Sequence, residues 1–457
     1  MESAGKRPSA YELVFRDAAL WSRLTAFQDG VRFTDYWNGD HASVCGHLSF
    51  IKLKESIASP LSFTHLSING AAREGHMAVV VHLHERSKGR PGDPSATVAA
   101  MDAAAGNGHL EILKYLHEHR SEGCSKFAMN EAAEQGHLDC VVWLHENMED
   151  AGCTEKALDG AATNGHLHVV EWLHKNRREG ATVEAMDGAA GNGHLEMVKW
   201  LHYQRREGCT GNAMWWAAKN GHLEVLKWLS KNRFEGMKRN SNSIDWAASN
   251  GHLEVVKFLH EMGGQGCTKR AMNWAAANGH LSVVKWLHEN RMEGCTREAL
   301  DTAAGNGHLE VVKFLDKNRY EGCSTRAINQ AALNGHLEVV RWLHANRKEG
   351  GTEKAMDSAA GNGHLEVVKF LHSKNYPCST NAMDWAAARG HLKVVKWLAE
   401  NRKEGCTHSA VDWSSHGRHS EVIDFLFQHS ELSKRSGSAR SKADGDDFAE
   451  QKCCVVS

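Results

Sequence analysis

With 31 histidines and 12 cysteines, the chain is rich in side chains that bind metals or act as nucleophiles. Their spacing decides whether they do so here. Histidines recur in pairs such as His137 and His145, eight residues apart, which on a helix rising about 1.5 Å per residue is about 12 Å. Two ligands of one zinc must approach within about 4 Å, because each bond is near 2 Å. The pairs are therefore read as structural, and no metal or other cofactor is expected. Seven cysteines, Cys124, Cys153, Cys209, Cys267, Cys295, Cys323 and Cys406, occupy one recurring slot, the Cys of Gly-Cys-Thr/Ser. Packed helices stand about 8–10 Å apart and a disulfide needs Cα atoms within about 7 Å, so this ladder is expected to stay unpaired. Free thiols used as small hydrophobes suit a reducing, intracellular, cytoplasmic setting. No Cys-x-x-Cys pair, zinc-protease helix, phosphate loop or Gly-x-Ser-x-Gly elbow occurs, and periodic copies offer no unique nucleophile with a base beside it. Catalysis is not expected.

The elements that position these residues are themselves periodic. A Gly-His step recurs at His47, His76, His109, His137, His166, His194, His222, His252, His280, His308, His336, His364, His391 and His419, with Arg418 replacing the glycine in the last copy. The commonest spacing is 28 residues, and a fixed period of this size means stacked units, none of which buries its apolar face alone. Between Cys295 and Glu321, Thr296 is placed to cap a helix. Ala299, Leu300, Ala303 and Ala304 give that helix a small-residue face, and Asn306-Gly307 ends it. Leu309, Val311, Val312, Phe314 and Leu315 form the apolar stripe of a second helix. The fold class predicted is all-α, a solenoid of helix-turn-helix repeats.

Ala-Ala-x-Asn followed by Gly-His-Leu-Glu-Val-Val-Lys-Trp-Leu resembles the ankyrin repeat, over roughly Asp40 to Phe427. The resemblance implies stacked helix pairs that bind other proteins. The ankyrin period is 33 residues against 28 here, and the family's Thr-Pro-Leu-His opening is replaced by forms such as Ala299-Leu300-Asp301. The β-hairpin fingers are therefore expected to be shortened or absent. The aspartate column Asp102, Asp159, Asp187, Asp245, Asp301, Asp357, Asp384 and Asp412 is read as a polar link between neighbouring repeats. Connector pairs such as Arg177 with Glu179 read as alternating surface charge.

Three segments follow. Residues 1–36 are read as a capping helix, from the capping box at Ser9–Glu12 and the pattern Leu13, Leu20, Trp21, Leu24, Phe27. Residues 37–428 form the array, and 429–457 a flexible tail. Ser414 and Ser415, in place of Ala-Ala, suit a polar outer repeat. The stretch Gly236 to Ser243 lengthens one spacing to 30 residues and reads as a loop insertion. It is also the only place where an enzyme-like break of register is conceivable. A net charge of −2 argues against a nucleic-acid partner. Met1 to Tyr11 carries no apolar run, so no signal peptide is expected, and no stretch nears the roughly 18 apolar residues of a membrane span.

Two features point to function. The residue before Ala-Ala varies along the array, through Glu131, Gly188, Trp216, Trp246, Trp274, Gln330 and Trp385. A fixed core slot would not tolerate such volume changes, so the column is expected to face a groove or solvent. Trp215, Trp216, Trp246 and Trp274 then make either a protein-binding row or space-filling between helices. Separately, Cys454-Val455-Val456-Ser457 matches the C-a-a-X signal, with a terminal Ser indicating farnesyl. One lipid chain binds marginally. The tail's Lys434, Arg435, Arg440, Lys442 and Lys452 are cancelled by Glu431, Asp444, Asp446, Asp447 and Glu450, which leaves Cys453 as a palmitoylation site for the second anchor. The reading is a monomeric, non-catalytic scaffold for protein partners, held on a cytoplasmic membrane face by its farnesylated end. The alternative is a soluble adaptor that recruits a partner through its N-terminal segment, with no lipid anchor.

Overall fold

The structure, a computed structural model, describes residues 38–56, 61–88, 96–148, 152–233, 242–263 and 266–429. Among these lie 28 helices and one isolated bridge, Asn38 with Ser62, so the architecture is all-α and the fingers are absent. The described residues fall in two compact units, divided between Lys238 and Arg239. The division falls inside the longer stretch from Gly236 to Ser243, of which 236–241 lie outside the described residues. The expected capping helix in 1–36 also lies outside them, as do Cys453 and Cys454.

One repeat shows why the sequence folds this way. Its first helix runs Arg297–Gly305 and its second Leu309–Asn318. Ala299, Leu300, Ala303 and Ala304 of the first are buried together with Val311, Val312 and Leu315 of the second. Small side chains on the first helix allow close approach, so first helices of adjacent repeats pack intimately while second helices touch only lightly. Gly307, at φ +83°, turns the chain between them. Its amide donates to the Ala304 carbonyl at 3.1 Å and that of His308 to Ala303 at 2.9 Å, a Schellman closure of the first helix.

The glycine has a second duty. A Cβ on Gly307 would stand 2.7 Å from the His336 ring of the following repeat, and the same seat recurs at Gly193 under His222 and Gly363 under His391. Asn306 completes the joint by donating from Nδ2 to the Ala277 carbonyl of the preceding repeat at 2.7 Å, which satisfies a helix-end acceptor. Asn-Gly-His is thus one coupling device. Burial, reinforced by neighbouring rings of the ladder, holds the His194 and His336 imidazoles below their usual pKa. In the last described copy Arg418 occupies the turn, at φ +58°. Ser414 is fully buried there while Ser415 is exposed, so only the second serine of the pair supplies the polar outer surface.

The connectors differ from a row of loose surface charges. Arg177 donates from Nη2 to Glu179 and from Nη1 to His145 Nδ1 of the preceding repeat at 3.2 Å. Arg291 does the same with Glu293 and His260, and Arg347 with Glu349 and Asp316. Arginine has no acceptor, so these histidine nitrogens must accept. Each such ring also meets the next second helix edge-on, His145 with Trp172 at 5.2 Å and His260 with Trp286 at 5.2 Å. Burial alone would raise the Glu179 carboxyl, but the Arg177 hydrogen bond and charge outweigh it and hold it at about 2. The thiols beside the clasp are inert, with burial pushing Cys153 and Cys295 up to about 11. None of the described cysteines is joined in a disulfide.

Gly307→Ala should therefore cost about 2–4 kcal/mol, from positive φ plus the imidazole clash. Arg418→Gly should gain about 1 kcal/mol by relieving the left-handed turn. Urea unfolding of both variants is the measurement, and a Gly307→Ala loss below about 0.5 kcal/mol would remove the seat from the account.

Candidate protein-binding face

The variable column lies on the first helices, one residue before the buried Ala-Ala pair. Trp215, Trp216, Trp246, Trp274, Thr302, Gln330, Ser358 and Trp385 are all half-buried, between core and solvent. Their freedom to vary has a cause that the sequence reading missed. The neighbouring slot does not stay fixed but trades volume across the repeat boundary. Where Trp216, Gln330 and Trp385 stand, the facing residue of the preceding repeat is Gly191, Gly305 or Gly361, and a Cβ there would come within 2.8–3.0 Å of the incoming side chain. Where the column itself is Gly160, the facing residue is the bulky Glu134, 2.9 Å from where a Cβ would lie. In these pairs large meets small, and the Trp216 and Trp385 indoles are seated by their backs. The signal was available at these positions, where the residue after one Ala-Ala pair varies in antiphase with the one before the next.

The four tryptophans singled out fall into two pairs in different units. In the first unit, Trp215 and Trp216 lie on the helix Gly211–Lys219 with ring centroids 6.4 Å apart, and Lys219 Nζ is 5.7 Å from the Trp215 ring. In the second unit, Trp246 and Trp274 come from consecutive repeats and meet at 5.0 Å with planes tilted by 47°. The Arg270 guanidinium sits 5.7 Å from the Trp274 ring. Trp246 opens its unit, so within that unit no facing residue precedes it. Tryptophans on second helices such as Trp172 and Trp286 belong to the histidine contacts already described. Among the described residues, no group of three or more His, Cys, Asp or Glu could hold a metal ion, and no helix is long and apolar enough to cross a membrane.

Comparison with known proteins accords with this geometry. The family model for ankyrin repeats (3 copies) matches in overlapping placements at 68–155, 100–187, 129–208, 185–270, 244–329, 303–384, 328–412 and 356–436. The chain belongs to the ankyrin-repeat family. No curated protein matches it. A similar solved structure is the crystal structure of the human ASB11 ankyrin repeat domain, 20% identical over 40% of this chain and 96% of that one, with a TM-score of 0.34. As an ankyrin-repeat chain, it is a protein-interaction scaffold.

This ankyrin array locks the register of its binding helices with the aspartate column. Asp159 Oδ1 accepts from the Thr182 amide at 2.8 Å and Oδ2 from its hydroxyl at 2.8 Å, across the repeat boundary. The Thr182 hydroxyl in turn accepts from the Glu184 amide at 3.1 Å and caps the next helix. With its proton committed to aspartate, the hydroxyl's lone pairs remain for the cap. Where the column carries asparagine, the polarity reverses: Asn273 Nδ2 donates to Thr296 Oγ1 at 2.8 Å. The expected hydroxyl cap of Thr296 is then absent. Caps over Asn69 and Asn130 stretch to 3.3 Å, against 3.1–3.2 Å over Asp102, Asp187, Asp245 and Asp384. Asp412, in the last described repeat, is exposed. In the last repeat of the first unit the slot holds Trp215.

Burial pushes the Asp357 carboxyl up to about 6, against the pull of the Ser379 hydroxyl and amide. A carboxyl raised from 3.8 favours the fold fully below about pH 4 and loses that advantage as pH rises through about 6. Asp357→Asn should stay within about 1 kcal/mol of the parent at pH 7, whereas Asp357→Ala, which strands the Ser379 donors, should cost about 2–3 kcal/mol. From pH 7 to 4 the parent should gain on the order of 2–3 kcal/mol relative to Asp357→Asn. Denaturant melts across that range read both effects, and a pH-independent difference between parent and Asn variant would contradict the assignment.

Proposed function

We propose that the scaffold grips its protein partner through the tryptophan pairs of its first helices, while a C-terminal farnesyl group on Cys454 holds it at a cytoplasmic membrane face. The observation that carries the first part is the Trp246–Trp274 pair: two indoles from consecutive repeats, 5.0 Å apart and half-exposed, with the Arg270 guanidinium near the second ring. Large, rigid aromatic side chains contribute much contact area at little entropic cost and dominate interface energetics. The adjacent cations, Arg270 here and Lys219 beside Trp215, favour a partner segment in which an apolar side chain is flanked by a carboxylate. The support for the second part is the C-terminal Cys454-Val455-Val456-Ser457, with Cys453 as the site of a second acyl chain. The array would then supply recognition and the lipid a raised local concentration.

Replacing Trp216, Trp246 and Trp274 together by Ala should cut partner capture at least about tenfold, the loss of one interface anchor or more. Gln330→Ala makes a control in the same slot, because Gln330 carries no indole and its loss should leave capture unchanged. Equal losses in both variants, with melting temperatures matched, would reduce the row to packing. For the lipid, Cys454→Ser should move the protein from the membrane to the soluble fraction of cells, and an unaltered distribution would remove farnesylation from the reading.

A further inference from the structure

The Arg-x-Glu connectors leave one side chain free. Arg and Glu of each connector close on one another and on the preceding repeat, so their charges are internally matched and their conformation is held. Only the middle residue projects, and it sets the character of the tip. In the first unit, Arg178 and Arg206 project from adjacent connectors, with Tyr203 70% exposed just before the second. In the second unit, Met292 is 104% exposed and Tyr320 91%, again in adjacent connectors, and exposed Lys348 follows in the next. No described Arg-x-Glu connector places an acidic residue at the tip. Apart from the neutral Ser121, a chain of net charge −2 thus carries on each unit exposed connector tips that are basic or apolar.

We propose that these connector edges are contact surfaces for an anionic lipid bilayer. A globular partner would need pockets for each protruding side chain, whereas a lipid interface deforms around single tips. Tyrosine and methionine at the headgroup level bury their apolar parts while the neighbouring guanidinium and ammonium groups meet phosphate and carboxylate. Each basic side chain near such a surface raises partitioning roughly fivefold. The edge goes beyond the lipid-anchor reading, and it supplies the second attachment that a single farnesyl chain requires.

The test uses the full chain carrying Cys454→Ser, which has no lipid, sedimented with phosphatidylcholine vesicles with and without phosphatidylserine. The unlipidated chain should bind only the anionic vesicles and release as salt is raised. Arg178→Glu with Arg206→Glu should lower partitioning by about 25-fold or more, and Met292→Ser with Tyr320→Ser by several-fold. All four positions are exposed tips, so unchanged melting temperatures confirm the fold. Absence of binding to anionic vesicles overturns the proposal, as does a charge-reversed chain that partitions within about twofold of its parent. So does salt-sensitive capture by an acidic peptide or RNA with the vesicles ignored. Because the chain tested carries no farnesyl, its result is separate from the fate of the lipid reading, which the cellular distribution of the intact chain decides.

Discussion

An imidazole resting on a glycine is the contact on which the array depends. The glycine at each helix turn must adopt positive φ to close the first helix, and it must lack a Cβ because the ring of the next repeat fills that space. The two requirements meet in one residue, which is why Gly-His is the most constant dipeptide of the chain. Neither partner is satisfied within its own repeat. The turn is formed locally, but its exposed backbone is covered only when a successor arrives, and the successor's histidine is desolvated only by that turn. Stacking is therefore cooperative between neighbours and weak in isolation. Burial, and after it the neighbouring rings of the ladder, push the His137 and His166 imidazoles below their usual pKa.

Two further layers of neighbour coupling follow from this seat. On the first-helix side, a carboxylate reaches forward to the amide and hydroxyl that begin the next repeat, and the hydroxyl passes the interaction on as a helix cap. On the second-helix side, an arginine reaches back to the histidine of the preceding repeat, whose ring stands edge-on to an aromatic side chain. Forward and backward links alternate across the thickness of the stack, so shifting one repeat by a residue breaks contacts on both sides. Such redundancy explains how short helices, nine or ten residues for the repeat Arg297–Asn318, remain ordered, although helices of that length are marginal alone. Stability resides in the joints.

The repeat, its helix pairs and its apolar columns were legible in the sequence because each recurs with one phase and each has a local cause: caps, turn residues, helical spacing. The aspartate link was legible as a column, though not its effect on the cap, which depends on which partner donates the proton. Two readings were incomplete for a shared reason. Arg177 and Glu179 looked like surface charge because the sequence does not reveal that His145 of the preceding repeat stands in reach. The tryptophan slot looked like a solvent-facing position because variability was taken as freedom, whereas Gly191 under Trp216 and Glu134 against Gly160 show a volume exchanged between repeats. Side-chain chemistry read along one repeat cannot show compensation between two.

That compensation bears on where recognition can reside. A column whose volumes are balanced pair by pair can change identity at no cost to packing, so it is free to follow a partner's surface. The aspartate slot also changes identity along the array. Trp215 stands in the aspartate slot, and an indole, a donor only, cannot accept the amide and hydroxyl that a carboxylate receives elsewhere. The next repeat opens with Trp246 after the lengthened stretch. Within the first unit the helix Gly211–Lys219 thus carries an indole in that slot, with Lys219 beside its ring, while within the second unit Asp245 again receives the Thr268 amide and hydroxyl.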